Sequence, residues 1–116
     1  MLLPTHTQVY LGLGATDMRK SINTLSVLVE GAMELDPFSG HLFAFCNRRR
    51  NIVKILYWDR NGFCLWQKRL EKDKFHWPES SEEVLEVDQR ELSWLLEGLT
   101  IHQPTRYKEL RYSIVS

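Results

Sequence analysis

Between His41 and Leu70 the chain has room for little except strands. Three runs rich in aromatic and β-branched residues, His41–Cys46, Ile52–Trp58 and Phe63–Leu70, are separated by links too short for a helix. Asn47-Arg-Arg-Arg-Asn51 joins the first two runs. Asn61-Gly62 joins the second and third as a two-residue hairpin turn, because both residue types tolerate positive φ. Strands joined this tightly must run antiparallel. The expectation is a meander in which Tyr57 faces Trp66 and Ile55 faces Lys68.

The flanks read as further elements. Gln8–Leu11 is a short strand closed by Gly12-Leu-Gly14. Met18, Ile22, Leu25, Val29, Ala32 and Met33 recur at helical spacing and predict a helix from about Met18 to Glu34. Thr16 or Asp17 would cap it, and Asp36-Pro37 would stop it, because the residue before proline avoids helical angles. After the meander, Val84–Val87 is a short strand. Asp88-Gln-Arg-Glu91 fits a capping box, Leu92, Leu95, Leu96 and Leu99 fill one helical stripe, and Gly98 marks the end. Trp94 lies off that stripe. With 116 residues and 43% hydrophobic composition, the chain suffices for one globular domain, too small for a barrel enzyme or a complete transposase. The predicted fold is α+β: an antiparallel β-meander of about four strands with two helices packed mainly on one face. It forms a single domain over 1–116, with 102–116 a loosely held tail. Large apolar side chains point to both faces of the strands, Phe43 and Phe45 against Leu42 and Ala44. The sheet is therefore either sandwiched or leaves one face for self-association or a larger protein.

No run approaches the ~20 apolar residues of a membrane helix, and the start Met1-Leu-Leu-Pro-Thr-His6 lacks the cationic and apolar regions of a secretion signal. Cys46 and Cys64 are the only cysteines and form no CxxC pair, which suits reduced thiols and a cytoplasmic chain.

Net charge is zero, with fifteen basic and fifteen acidic residues, but the charge is unevenly placed. Residues 41–77 hold nine Lys/Arg against Asp59, Glu71 and Asp73, whereas residues 78–99 set Arg90 alone against seven acids. Arg48, Arg49 and Arg50 form the sharpest feature: three adjacent guanidinium groups at a hairpin tip, with no neutralising residue in the loop. Their geometry matches phosphate. Lys54, Arg60, Lys68, Arg69, Lys72 and Lys74 extend the charge along the strands, and Arg19 and Lys20 add cations at the first helix. Arg19 and Lys20 run against the helix dipole there, so they either pair with Asp17 or meet an external anion. The nucleic-acid-binding set read from the sequence is thus Arg48, Arg49, Arg50, Lys54, Arg60, Lys68, Arg69, Arg19 and Lys20. Tyr57, Trp58, Trp66 and Trp77 could stack on bases, or fill the sheet core. Trp94, Tyr57 and Trp66 are the candidates for contact with a protein partner.

Catalytic motifs are missing. Gly12-x-Gly14-x-x-Asp17 resembles a phosphate-binding turn, but Asp17 would repel a phosphate at the helix start. His6, His41, His76 and His102 are isolated and show no zinc spacing, and Asp17, Asp36 and Asp59 fit capping or turn roles. The reading is of a non-enzyme with no cofactor and no metal.

An ordered series of blocks then becomes recognisable: Thr16-Asp-Met-Arg-Lys-Ser21, Asp36-Pro-Phe-Ser-Gly-His-Leu-Phe43, Lys54-Ile-Leu-Tyr-Trp-Asp59, Gly62-Phe-Cys-Leu-Trp-Gln-Lys-Arg-Leu70 and Phe75-His-Trp-Pro78. The chain resembles the TnpB-type accessory protein, product of the second open reading frame, of the insertion-sequence family numbered sixty-six. The resemblance spans about residues 8–101. It implies a bacterial mobile-element protein, encoded beside a larger transposase that carries the DNA-recombination chemistry, and it supplies no catalytic residues to transfer. The expected function is a non-catalytic accessory factor for transposition. Its partners would be element DNA, held through the basic meander, or the transposase, or a second copy of itself. The alternative is an adaptor of the transposase that never touches DNA.

Overall fold

The computed structural model describes residues 6–101 and contains seven elements. In chain order they are β1 (Val9–Gly12), α1 (Ile22–Glu30), β2 (Leu42–Cys46), β3 (Ile52–Asp59), β4 (Gly62–Arg69), β5 (Val84–Val87) and α2 (Gln89–Leu96). The strands form one sheet in the order β4-β3-β2-β1-β5. The meander β2-β3-β4 is antiparallel as expected, but the sheet has five strands and is mixed, because β1 runs parallel to β2. The α1 crossover explains this. A helix between two strands returns the chain to the same end of the sheet, so the strands on either side of it run the same way. β5 then adds antiparallel to β1.

The helices do not share a face. Strand alternation sends Val9, Leu11, Leu42, Ala44, Cys46, Val53 and Ile55 to one side, where Leu92 and Leu95 of α2 cover them with Phe75 and Trp77. Phe43, Phe45 and Leu56 point to the other side, under Leu25 and Val29 of α1 and Met33. Every residue of β2 is buried, and each large apolar side chain so buried contributes about 1.5–3 kcal/mol. The sheet is sandwiched because both faces of its middle strands are apolar. Helices on a single face would have left Phe43 and Phe45, or the opposite set, in water.

The local boundaries shift for identifiable reasons. α1 begins at Ile22 rather than Met18, because the Asp17 side chain binds the Arg19 backbone N–H at 2.9 Å and holds the preceding residues in a turn. Ser21 becomes the N-cap, its N–H donating to Thr24 Oγ1 at 3.0 Å. The helix ends at Gly31, ahead of Asp36-Pro37. The cap and the stop of α2 match expectation: Asp88 accepts from the Glu91 N–H at 2.7 Å, Glu91 returns the bond to the Asp88 N–H, and Gly98 takes φ 86°. Leu99 of the expected stripe instead lies past the helix and is exposed, because the chain turns at Gly98.

The second hairpin turns one residue early. Asp59 pairs with Gly62, so the turn residues are Arg60 and Asn61, Tyr57 faces Cys64 and Ile55 faces Trp66. Arg60 accepts a left-handed φ of 56°, a cost of about 1–2 kcal/mol. In return Trp58 stands opposite Phe63, ring centroids 5.0 Å apart, with Phe38 against both. Aromatic pairs across strands can offset a cost of that size. The sequence-based tail, 102–116, lies outside the described residues, as does His102.

Candidate nucleic-acid interface

The arginine tip is built by the asparagines on either side of it. Asn47 Oδ1 accepts from the backbone N–H of Asn51 and of Ile52, each at 3.0 Å, and Asn47 Nδ2 donates to Asn51 Oδ1 at 2.7 Å. The Arg50 N–H closes the turn on the Asn47 carbonyl at 3.1 Å. Arg48 and Arg49 occupy the corner of this turn and are exposed, and neither is in an ion pair among the described residues.

Arg50 goes the other way. It adopts φ 64°, and its side chain folds back until only 22% is exposed. Nη2 donates to Glu79 Oε1 at 3.1 Å, while Nη1 is buried with no hydrogen-bond partner among the described residues. The Arg50 carbonyl accepts from the Phe75 N–H at 2.6 Å, and so helps seat Phe75 in the core. Burial pushes the neighbouring Cys46 thiol up to about 11, although the Arg50 charge pulls it the other way. The sequence placed no neutralising group in the loop, and the neutralising group comes from Glu79 in the acidic segment.

The remaining cations disperse. Lys54 Nζ donates to the carbonyls of Met18 and Lys20, at 2.6 and 3.0 Å, and ties β3 to the entry of α1. Lys68, on the opposite face, donates to the Leu96 carbonyl at 2.7 Å and caps the end of α2. Arg60 sits at the far end of β3, about 25 Å from the tip for a strand of eight residues. Arg69 is paired with Glu71 at 2.8 Å. Arg19 is paired with Asp17, its Nη2 at 2.6 Å, and this contact holds the Asp17 carboxyl down to about 2. Lys20 is half-buried beside α1. The nine residues singled out from the sequence therefore do not form one continuous patch.

What gathers at the tip includes two lysines outside that nine-residue set. Arg49, Lys72 and Lys74, with Asn51, Leu70, Glu71 and Asp73, line a shallow depression of about 350 Å³. Lys72 and Lys74 arrive there because Phe75 and Trp77 are pinned inside, Trp77 Nε1 donating to the Gly12 carbonyl at 3.0 Å. The alternation of charged residues before a buried Phe-x-Trp was the available signal. Among the aromatics, Trp77 is 5% exposed and unavailable for stacking, and Tyr57 and Trp66 pack against the core. Trp94 is exposed on α2.

Among the described residues no three His, Cys, Asp or Glu side chains are grouped to hold a metal. No helix there is long and apolar enough to cross a membrane.

Residues 7–106 match the model of the IS66 Orf2-like proteins. The chain belongs to that family. An uncharacterised protein of Sinorhizobium fredii, y4hO, is 32% identical over 105 residues, covering 89% of this chain and 91% of that one. A second, y4jC of the same organism, is 36% identical over 83 residues, covering 72% and 71%. No solved structure matches. Membership of the IS66 Orf2-like family attaches the chain to insertion-sequence transposition in an accessory capacity.

Proposed function

We propose that this IS66 Orf2-like protein assists transposition by holding the element's DNA, with Arg48 and Arg49 on the phosphates and Lys72 and Lys74 beside them. The observation that carries this is the division of labour among the cations. Arg50, Lys54, Lys68 and Arg69 are engaged by the protein itself, whereas Arg48 and Arg49 are held outward by the Asn47–Asn51 lock and form no ion pair among the described residues. Exposed guanidinium groups fixed on a turn are suited to phosphate and carry no base preference. Contact with the DNA is therefore expected to be sequence-tolerant and steeply salt-dependent.

The test is a salt-titrated anisotropy measurement with duplex DNA. Each phosphate contact contributes about 0.9 to the slope of log K against log salt. Arg48→Ala with Arg49→Ala should weaken binding and flatten the slope by about 2. Unchanged affinity and slope would remove the tip from the interface. Copurification with the transposase after nuclease treatment, without any DNA shift, would instead support an adaptor, for which Trp94 is the exposed aromatic at hand.

A further inference from the structure

The sheet has two edges among the described residues, and they are unlike. β5 has only four residues and carries exposed Glu86, with Glu82, Glu83 and Asp88 beside it. Short length and charge are the usual protection of an edge. β4 has eight residues, and Gly62 to Gln67 carry no charge. Such an edge is a template for another strand.

The backbone parity of β4 is settled by its end. The Leu70 N–H donates to the Asn51 carbonyl at 2.8 Å, so even-numbered residues spend their backbone groups on β3. Phe63, Leu65, Gln67 and Arg69 therefore direct N–H and C=O away from the sheet.

We infer that β4 pairs antiparallel with β4 of a second copy of this chain, Leu65 opposite Leu65, joining two five-stranded sheets across a twofold axis. Charge selects this arrangement. A parallel seam would bring Lys68 and Arg69 beside their own copies. Antiparallel pairing with Leu65 at the centre sets Lys68 opposite Gly62 and Arg69 opposite Asn61, with the uncharged stretch in the middle. Sliding two residues toward the turn would oppose Lys68 to Arg60, and like charges directly opposite are unfavourable. Sliding two the other way overlaps as many β4 residues and sets Trp66 opposite Trp66, but it carries each Cys64 four positions along the strand from its copy, so the coupling of Cys64 below separates the two registers. In the chosen register Phe63 pairs with Gln67 of the second copy, and Trp66 with its Cys64. The seam then gains about six backbone hydrogen bonds, and it extends the half-buried stripe of Cys64 and Trp66. The closed twofold contact yields a dimer and no further growth.

Light scattering on the full chain tests the inference, with twice the 13.7 kDa chain mass expected. Gln67→Pro removes an N–H that the fold leaves outward, at an exposed side chain on an edge strand, where proline is tolerated. It should raise the dimer dissociation constant at least about tenfold, since the twofold axis counts the loss twice. A short bismaleimide supplies a second readout that needs no substitution. It should couple Cys64 to Cys64 of the second copy, about 8 Å away on the diagonal, while buried Cys46 stays unmodified. A monomer at every concentration would overturn the inference, including the case where residues 102–116 occupy the edge. So would an open-ended polymer, the product of β4 meeting β5. A folded Gln67→Pro that remains dimeric, or a wild-type dimer in which Cys64 does not couple, would overturn it equally.

Discussion

Arg50 and Glu79, 29 residues apart in the chain, meet at 3.1 Å, and that contact separates one arginine of the run from the other two. Arg50 folds back half-buried against the protein and is tied to the acidic segment. Arg48 and Arg49 belong to the surface.

Their energetic roles should differ accordingly. Arg50→Ala removes a packed side chain together with its ion pair, and should lower unfolding free energy by about 1 kcal/mol. Arg48→Ala and Arg49→Ala should each stay within about 0.5 kcal/mol of the parent. Urea unfolding of the three variants measures this. Equal effects would contradict the inward placement of Arg50.

Lys68 should matter to the fold and not to DNA. Its ammonium satisfies the Leu96 carbonyl at 2.7 Å, at the end of α2. Lys68→Met keeps the stem and loses that bond, so it should cost about 1–2 kcal/mol. Any DNA affinity carried by the tip should remain. A loss of affinity in a variant that is still folded would return Lys68 to the interface.

The two thiols should separate cleanly. Cys46 is buried, and burial raises its thiol from the ordinary 9.0 to about 11, while Cys64 is half-buried on β4. A thiol reagent at neutral pH should label Cys64 first and reach Cys46 only on unfolding. The neutral Cys46 is favoured in the folded state, so its contribution is complete below about 9. It should be lost as pH rises through about 11, seen as a falling urea midpoint across that window.

Asp17 should behave oppositely. The side-chain and backbone hydrogen bonds from Arg19 hold its carboxyl at about 2 against the ordinary 3.8. Its stabilising contribution is therefore present above the ordinary value and is lost as pH falls toward 2. A carboxyl chemical-shift titration should place the midpoint there, and Arg19→Ala should return it to the ordinary range.

What could be read along the chain was whatever neighbours decide. The β2-β3-β4 meander follows from links of a few residues, and the Asp88/Glu91 cap and the Gly98 stop of α2 follow from local chemistry. The outward tip at Arg48 and Arg49 follows from its place in a short turn. The hairpin turn itself was misplaced by one residue, because Asn61-Gly62 is a local signal and the Trp58–Phe63 pairing that overrode it depends on packing with Phe38.

By itself, the amino-acid order determined the family, the strand-forming middle of the chain and its basic charge, since these depend on residue type and spacing along the backbone. Only the tertiary structure decided that β1 lies parallel to β2, that α1 and α2 cover opposite faces, and which cations are left free. Lys54 and Lys68 are spent on carbonyls 34 to 36 and 28 residues away, and Arg50 on a carboxylate 29 away. The physical reason is that buried carbonyls and charges must find partners across the packed layers, and those partners are chosen by folding rather than by proximity in the chain.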